Sequence, residues 1–336
     1  MRRAIFALLL LSASTAAVAD EQTLRIGTIV PEGTGWAREL RTMAREVESA
    51  TAGGVKMKFY MGGIAGDEME MLERVRRGQL DGILSGSVAC ETNAPSLRVV
   101  RIPGLFQSWA ETSYVLGRLR PLFEDESKRN GFKYLGEAIV GPSILFTRTP
   151  VHDLAELKRQ RLWIWDVDRM LGAFLPDMGL PVVPTPIRDA LHAYEDGRID
   201  GFISPAVVAL AFQWSTAARY FTDLRLGFVV GCLIVANRAF DALPLPAQQE
   251  MRVTAAHAKA RFEEIGRTQE DQLLHGLFER QGLKAVHADE TTRINFFEGA
   301  RAARDHAAAR LVSSSLIAQV LGMLADYRSE HRSARE

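Results

Sequence analysis

Cysteine is nearly missing from this 336-residue chain: only Cys90 and Cys232 occur. Two cysteines without a histidine cluster cannot build a zinc site, and a catalytic thiol would need a nearby base, so both are read as structural. An excess of one charge is also missing, since 41 Lys+Arg stand against 41 Asp+Glu. Phosphate neutralisation needs a basic surplus, so no nucleic-acid partner is expected. After the first twenty residues no apolar run is long enough to span a bilayer. The motifs H-E-x-x-H, C-x-x-C, G-x-x-x-x-G-K-[ST] and G-x-S-x-G do not occur. Seven histidines are scattered, with His152, His257, His275 and His306 in polar helical or turn contexts and none beside a nucleophile. An enzyme, a cofactor and a metal are therefore not expected.

What is present is an ordinary globular composition, 47% hydrophobic and 24% charged, over a length that calls for two domains. Arg2-Arg3, the apolar stretch Ala4 to Leu11 and Ala17-Val18-Ala19 make up a signal peptide, residues 1–19, cleaved after Ala19. Cleavage removes two arginines and no acids, which tips the mature balance slightly acidic. Export to the periplasm is the consequence, and there disulfides persist. Whether Cys90 and Cys232 bridge or remain two small buried thiols is left open, because spacing alone does not decide pairing.

Along the chain, helical and extended patterns alternate. Leu24 to Val30 reads as a strand. Trp36, Leu40, Met43, Ala44 and Val47 recur at helical spacing, and Val55, Met57 and Phe59 alternate as a second strand. Asp67 with Glu70 forms a capping-box start, and Leu80 to Leu84 follows as a strand. This βαβαβ order implies a parallel sheet covered by helices. The pattern returns: Gly78-Gln79-Leu80-Asp81-Gly82-Ile83-Leu84-Ser85 resembles Gly197-Arg198-Ile199-Asp200-Gly201-Phe202-Ile203-Ser204. Thr185-Pro186 supplies an N-cap and first-turn proline for the helix before the second copy. Ligands in open α/β sheets sit beyond the carboxyl ends of strands, so two facing units imply a cleft. From Pro244 to Gln281 few breakers interrupt a helical pattern of about 36 residues, roughly 54 Å at 1.5 Å per residue. It is either one spanning strut or two helices bent at Gly266. After a strand at Leu283 to Val286 come helical patterns near 290–309 and 311–327, and the charged tail from Arg328 is expected to fray.

Several segments, in order, resemble the extracytoplasmic solute-binding proteins of TRAP transporters, the DctP-like family. They include Leu24-Arg25-Ile26-Gly27 with Pro31 and Trp36, and Gly66-Asp67-Glu68-Met69-Glu70. Pro103-Gly104-Leu105-Phe106, Pro184-Thr185-Pro186, Gly197-Arg198-Ile199-Asp200-Gly201 and Asp241-Ala242-Leu243-Pro244 continue the series. The resemblance implies a periplasmic-binding-protein-like α/β fold, with two α/β lobes around a cleft and a long helix crossing both. It places lobe I at 20–141 plus 229–268 and lobe II at 142–228 plus 269–336. It also implies a receptor that hands a small molecule to membrane permease subunits.

Where this family carries its carboxylate-binding arginine, Arg161-Leu162-Trp163 puts Trp163, with Asp166 three residues on. A second family arginine position is held by Ser143, and the family's Asp-Gly-Gln-Glu-Asn-Pro becomes Asp200-Gly201-Phe202-Ile203-Ser204-Pro205. Indole cannot imitate the two parallel hydrogen bonds of a guanidinium, and Asp166 adds repulsion. The site resembles a branch that associates with tetratricopeptide-repeat proteins and lacks the ligand arginine. Trp163, Trp165, Phe202, Ile203 and Ile187 are expected to give apolar contact, and Ser143, Ser204 and Asp166 to orient a hydroxyl or amine. The expected ligand is an uncharged apolar or amphipathic, lipid-like solute. The alternative is an organic acid held by a relocated cation: Arg161, which shares a strand face with both tryptophans, Arg148 or Arg188. A sensor or lipid-shuttle accessory is the alternative of another class.

Overall fold

The computed structural model describes residues 21–332, so the expected signal peptide lies outside the described residues. Nine strands form one sheet: β1 (Gln22–Thr28), β2 (Val55–Tyr60), β3 (Gly82–Ser85), β4 (Phe132–Thr147), β5 (Leu162–Trp165), β6 (Val182–Thr185), β7 (Gly201–Ser204), β8 (Tyr220–Ala236) and β9 (Lys284–Val286). The order is β2-β1-β3-β8-β4-β7-β5-β6, with β9 on β8. Parallel β2-β1-β3 and parallel β6-β5-β7 are two copies of one arrangement, as the sequence repeat implied. Between them, β8 and β4 run antiparallel from Phe132↔Ala236 to Thr147↔Tyr220 and so belong to both halves. Their register shifts at Tyr134/Gly136, Ile139/Gly141 and Ser143/Leu145. Such bulges bend and twist a strand where it must change direction.

Local chemistry accounts for the elements. Thr34 caps helix Gly35–Ala50 by accepting the Ala37 N–H, and Trp36, Leu40, Met43 and Val47 fill its buried stripe. The Asp67/Glu70 capping box is formed at helix Glu68–Arg76. Thr185, by contrast, ends β6. A 3₁₀ turn, Ile187–Asp189, intervenes before helix Ala190–Glu195, so the expected cap is displaced by one turn.

The long helix runs Leu245–Gln272 and continues through a π-turn, Leu273–Phe278, without breaking at Gly266. A Cβ at Gly266 would lie 2.3 Å from the Val140 carbonyl oxygen and 3.0 Å from the Trp109 ring. That glycine lets the helix press onto β4. Near its start Met251 and Ala255 pack in one cluster with Leu24 and Ile26 of β1. Further along, Arg261 bridges to Glu39 and Glu46 of helix Gly35–Ala50, and in the π-turn Leu273, Leu274 and Phe278 pack with Phe146 of β4. The helix therefore crosses both halves. Cys90 and Cys232 form a disulfide (Cα–Cα 5.8 Å) that ties helix Val88–Asn93 to β8, closing the question the sequence left open.

The C-terminal helix, Ser314–Arg332, does not fray at Arg328. The Arg328 guanidinium donates to Glu111, whose side chain is only 6% exposed, and Tyr327 meets Tyr114 at 4.8 Å. This helix packs on Trp109–Arg129, a helix expected in lobe I, although residues 269–336 were expected to belong to lobe II.

Candidate ligand cavity

A cavity of about 240 Å³ opens between the two halves, at the carboxyl ends of β1, β3, β5 and β7. Parallel strands aim their C-terminal loops in one direction, and here both halves aim them at each other. Ile29 and Val30 follow β1, Ser85 to Val88 follow β3, Trp163 and Trp165 belong to β5, and Ile203 and Ser204 to β7. Trp36 from the first half and Trp214, Phe212 and Ile187 from the second complete an aromatic and aliphatic belt.

Six of the expected residues therefore line the cavity: Trp163, Trp165, Ile203, Ser204, Ser143 and Ile187. Trp163 is fixed by its indole N–H, which donates 3.0 Å to the Thr185 carbonyl, and by an edge contact with Trp214 at 4.9 Å. The Trp165 indole N–H is buried without a protein partner. The Ser204 hydroxyl donates 3.1 Å to the Pro205 carbonyl, which leaves its oxygen as an acceptor only.

Three expected residues do not line it. Phe202 is 3% exposed and stacks on Phe146 at 4.9 Å, with Tyr194 and Trp214 edge-on, so it is core beneath the wall rather than wall. Asp166 lies in the exposed turn just after β5. Arg161 precedes β5 and so sits at the opposite end of the sheet. Sharing a face is not sharing an end, because four residues of strand are about 13 Å. There Arg161 donates to Asp200 at 2.7 and 2.8 Å and to the Gly197 carbonyl at 2.6 Å, and these bonds hold the Asp200 carboxyl below its usual range. Arg25 treats Asp81 and the Gly78 carbonyl in the same way (2.8, 3.0 and 2.8 Å). The repeat is thus also a repeat of a structural staple, and the arginine in it is taken.

The other two candidate cations are elsewhere too. Arg148 bonds the Tyr194 carbonyl and lies over that ring at 4.6 Å, and the Arg188 side chain is 72% exposed.

Sequence reasoning missed a buried charged cluster in the wall. Arg101 ends the 3₁₀ turn Pro95–Arg101 of the first half, and Asp168 follows β5 of the second. Arg101 Nη1 donates to Asp168 Oδ1 at 3.2 Å and Nη2 donates to Oδ2, while Nη1 also reaches Glu91 Oε1 at 2.9 Å. The three side chains are 8%, 6% and 9% exposed. Burial opposes the Arg101 charge, but the two carboxylates outweigh it and raise its pKa. Burial likewise pushes Glu91 up to about 7, with Arg101 pulling back and Asp168 pushing further. Glu68 is fully buried in the same wall and accepts the Gly86 and Ala89 N–H groups, and its carboxyl is pushed up by burial. At another edge of the wall, burial raises Glu137 against the pull of Lys259, which itself donates to Glu263 at 2.6 Å. Glu68 stands in the motif Gly66-Asp67-Glu68 and Arg101 two residues before Pro103-Gly104, so the motifs marked the place. Nothing in their spacing marks these charges as buried.

Among the described residues no His/Cys/Asp/Glu group is arranged to hold a metal, and no helix is long and apolar enough to cross a membrane. The architecture is that of a two-lobed solute receptor, with the ligand space between α/β halves. The sequence profile of the bacterial extracellular solute-binding proteins, family 7 (DctP), matches residues 26–310, and the chain belongs to that family. It is 25% identical over 251 residues, 74% of each chain, to a solute-binding protein of Verminephrobacter eiseniae. Its fold matches a TRAP periplasmic solute-binding protein of Haemophilus influenzae with bound L-gulonate (TM-score 0.83, 15% identity, 91% of this chain and 99% of that one). It also matches one of Xanthobacter autotrophicus with bound β-D-galacturonate (TM-score 0.81, 19% identity, 90% and 98%).

Proposed function

We propose that this protein is the periplasmic receptor of a TRAP-type transport system, exported by the segment ending at Ala19, and that it carries an amphipathic, largely uncharged small molecule to membrane permease subunits. The observation that carries the ligand class is the state of Arg101: the arginine in the cavity wall already has two buried carboxylate partners, while the surrounding belt is aromatic and aliphatic. Apolar burial at about 25 cal/mol per Å² then supplies the affinity, and the few free polar atoms orient the solute. A tetratricopeptide-repeat partner belongs to this reading, and co-purification from the native periplasm tests it. Native mass spectrometry of protein from its own periplasm, followed by solvent extraction, tests the ligand class. A co-purified lipid-like molecule is the expected result.

An organic-acid ligand is the second reading. It is favoured by the galacturonate and gulonate held in the related folds, and by the presence of Arg101 and Lys259 in the wall. Of the cations first considered for it, Arg161, Arg148 and Arg188 are outside the wall, so Arg101 carries this reading. Stabilisation by micromolar galacturonate or gulonate in a thermal-shift assay would decide for it and against the amphipathic solute. A sensor or lipid-shuttle role without a permease is separated from both by the genes beside this one.

A further inference from the structure

We propose that Asp168 is a built-in substitute for a ligand carboxylate, and that its occupation of Arg101 excludes small organic acids from the cavity. A free acid binds a guanidinium by placing its two oxygens against two N–H groups. Asp168 does this from within the chain: Oδ1 accepts from Nη1 and Oδ2 from Nη2, in a wall where both side chains are almost fully covered. Its position is fixed independently, because the same carboxylate caps helix Arg169–Asp177 by accepting the Leu171 N–H at 3.0 Å. Glu91 holds Arg101 from a second side, and Glu68 adds another acid to the same wall. An incoming acid would have to expel Asp168 and leave a buried carboxylate without its cation. Lys259, the other cation of the wall, is engaged by Glu263. Asp168 is thus a specificity-determining residue. This inference rests on the non-acid reading above.

The test removes the internal carboxylate and offers external ones. Asp168→Ser keeps a side-chain oxygen for the helix cap and vacates the guanidinium; Asp168→Asn, which also caps, is the second variant if the first does not fold. Acetate, D-galacturonate and L-gulonate are the probes, read by thermal shift and by calorimetry. The expected result is no binding by the parent protein and binding by the variant with Kd near or below about 1 mM. Adding Arg101→Gln to the variant should abolish that binding. Folded variants that bind none of the three acids overturn the role of Asp168 and leave the amphipathic reading standing. A parent protein that binds the acids as tightly as the variants overturns the reading itself, and the inference with it.

Discussion

Glu91 shows what burial does to a single group in this protein. Its folded-state carboxyl titrates at about 7 rather than at the ordinary 4.5, with burial as the main cause. A raised carboxyl pKa means that the folded chain keeps a proton the unfolded chain has released. Its contribution to stability is therefore complete below about pH 4.5 and is lost as pH rises through about 7. Glu68, Glu137 and Glu270 are shifted in the same direction. Melting temperature should therefore fall between about pH 5 and pH 8, and Glu91→Gln should flatten that slope; an unchanged slope would contradict the assignment. Arg161 gives the opposite kind of prediction. Because it staples Asp200 far from the cavity, Arg161→Ala should leave solute affinity within about two-fold of the parent by calorimetry, whatever it does to the fold. A ten-fold loss would return Arg161 to the site.

At the scale of elements, the long helix offers a substitution whose sign is diagnostic. By helix propensity alone, Gly266→Ala should stabilise an exposed helix by about 1 kcal/mol. Here the new methyl would meet the Val140 carbonyl at 2.3 Å, so the helix must move off β4. Chemical denaturation should show a loss of about 1–3 kcal/mol, the range of overpacked contacts. The disulfide links a short helix at the cavity rim to the central ribbon. Replacing both cysteines by serine should cost about 2–4 kcal/mol, read as a lower denaturation midpoint that reductant no longer changes. Legibility also divides at this scale. Strand alternation, the capping box and the repeated Gly-x-x-Asp-Gly ending gave β2, helix Glu68–Arg76, β3 and β7, because each rests on interactions within a few residues. The site was half legible. Trp163, Trp165, Ile203 and Ser204 reach the wall because strand ends face the cleft. Phe202 and Arg161 do not, because which end and which layer a side chain reaches is set by the neighbouring strands. The Arg101 cluster could not be read as a buried unit, since Asp168 comes from 67 residues further along the chain and only the fold brings it to Arg101 and Glu91.

For the molecule as a whole, two α/β halves share one sheet through the β8–β4 ribbon and one long helix. Arg101 to Asp168 adds a buried polar link between segments on either side of the cavity. The same ribbon bears on how the chain is made. The central strand next to β3 is β8, and the pairing Ser85↔Cys232 joins residues far apart in the sequence. The half that is translated first therefore cannot complete its sheet until the chain beyond the second half has emerged. The second set, β5 to β7, instead borders β4, which precedes it in the chain and is already made. The set made first can pair within itself, but it keeps β3 as an open edge until β8 has been made. Such an edge is a template for wrong pairing, so this topology favours a chain whose nine strands are all available before it folds.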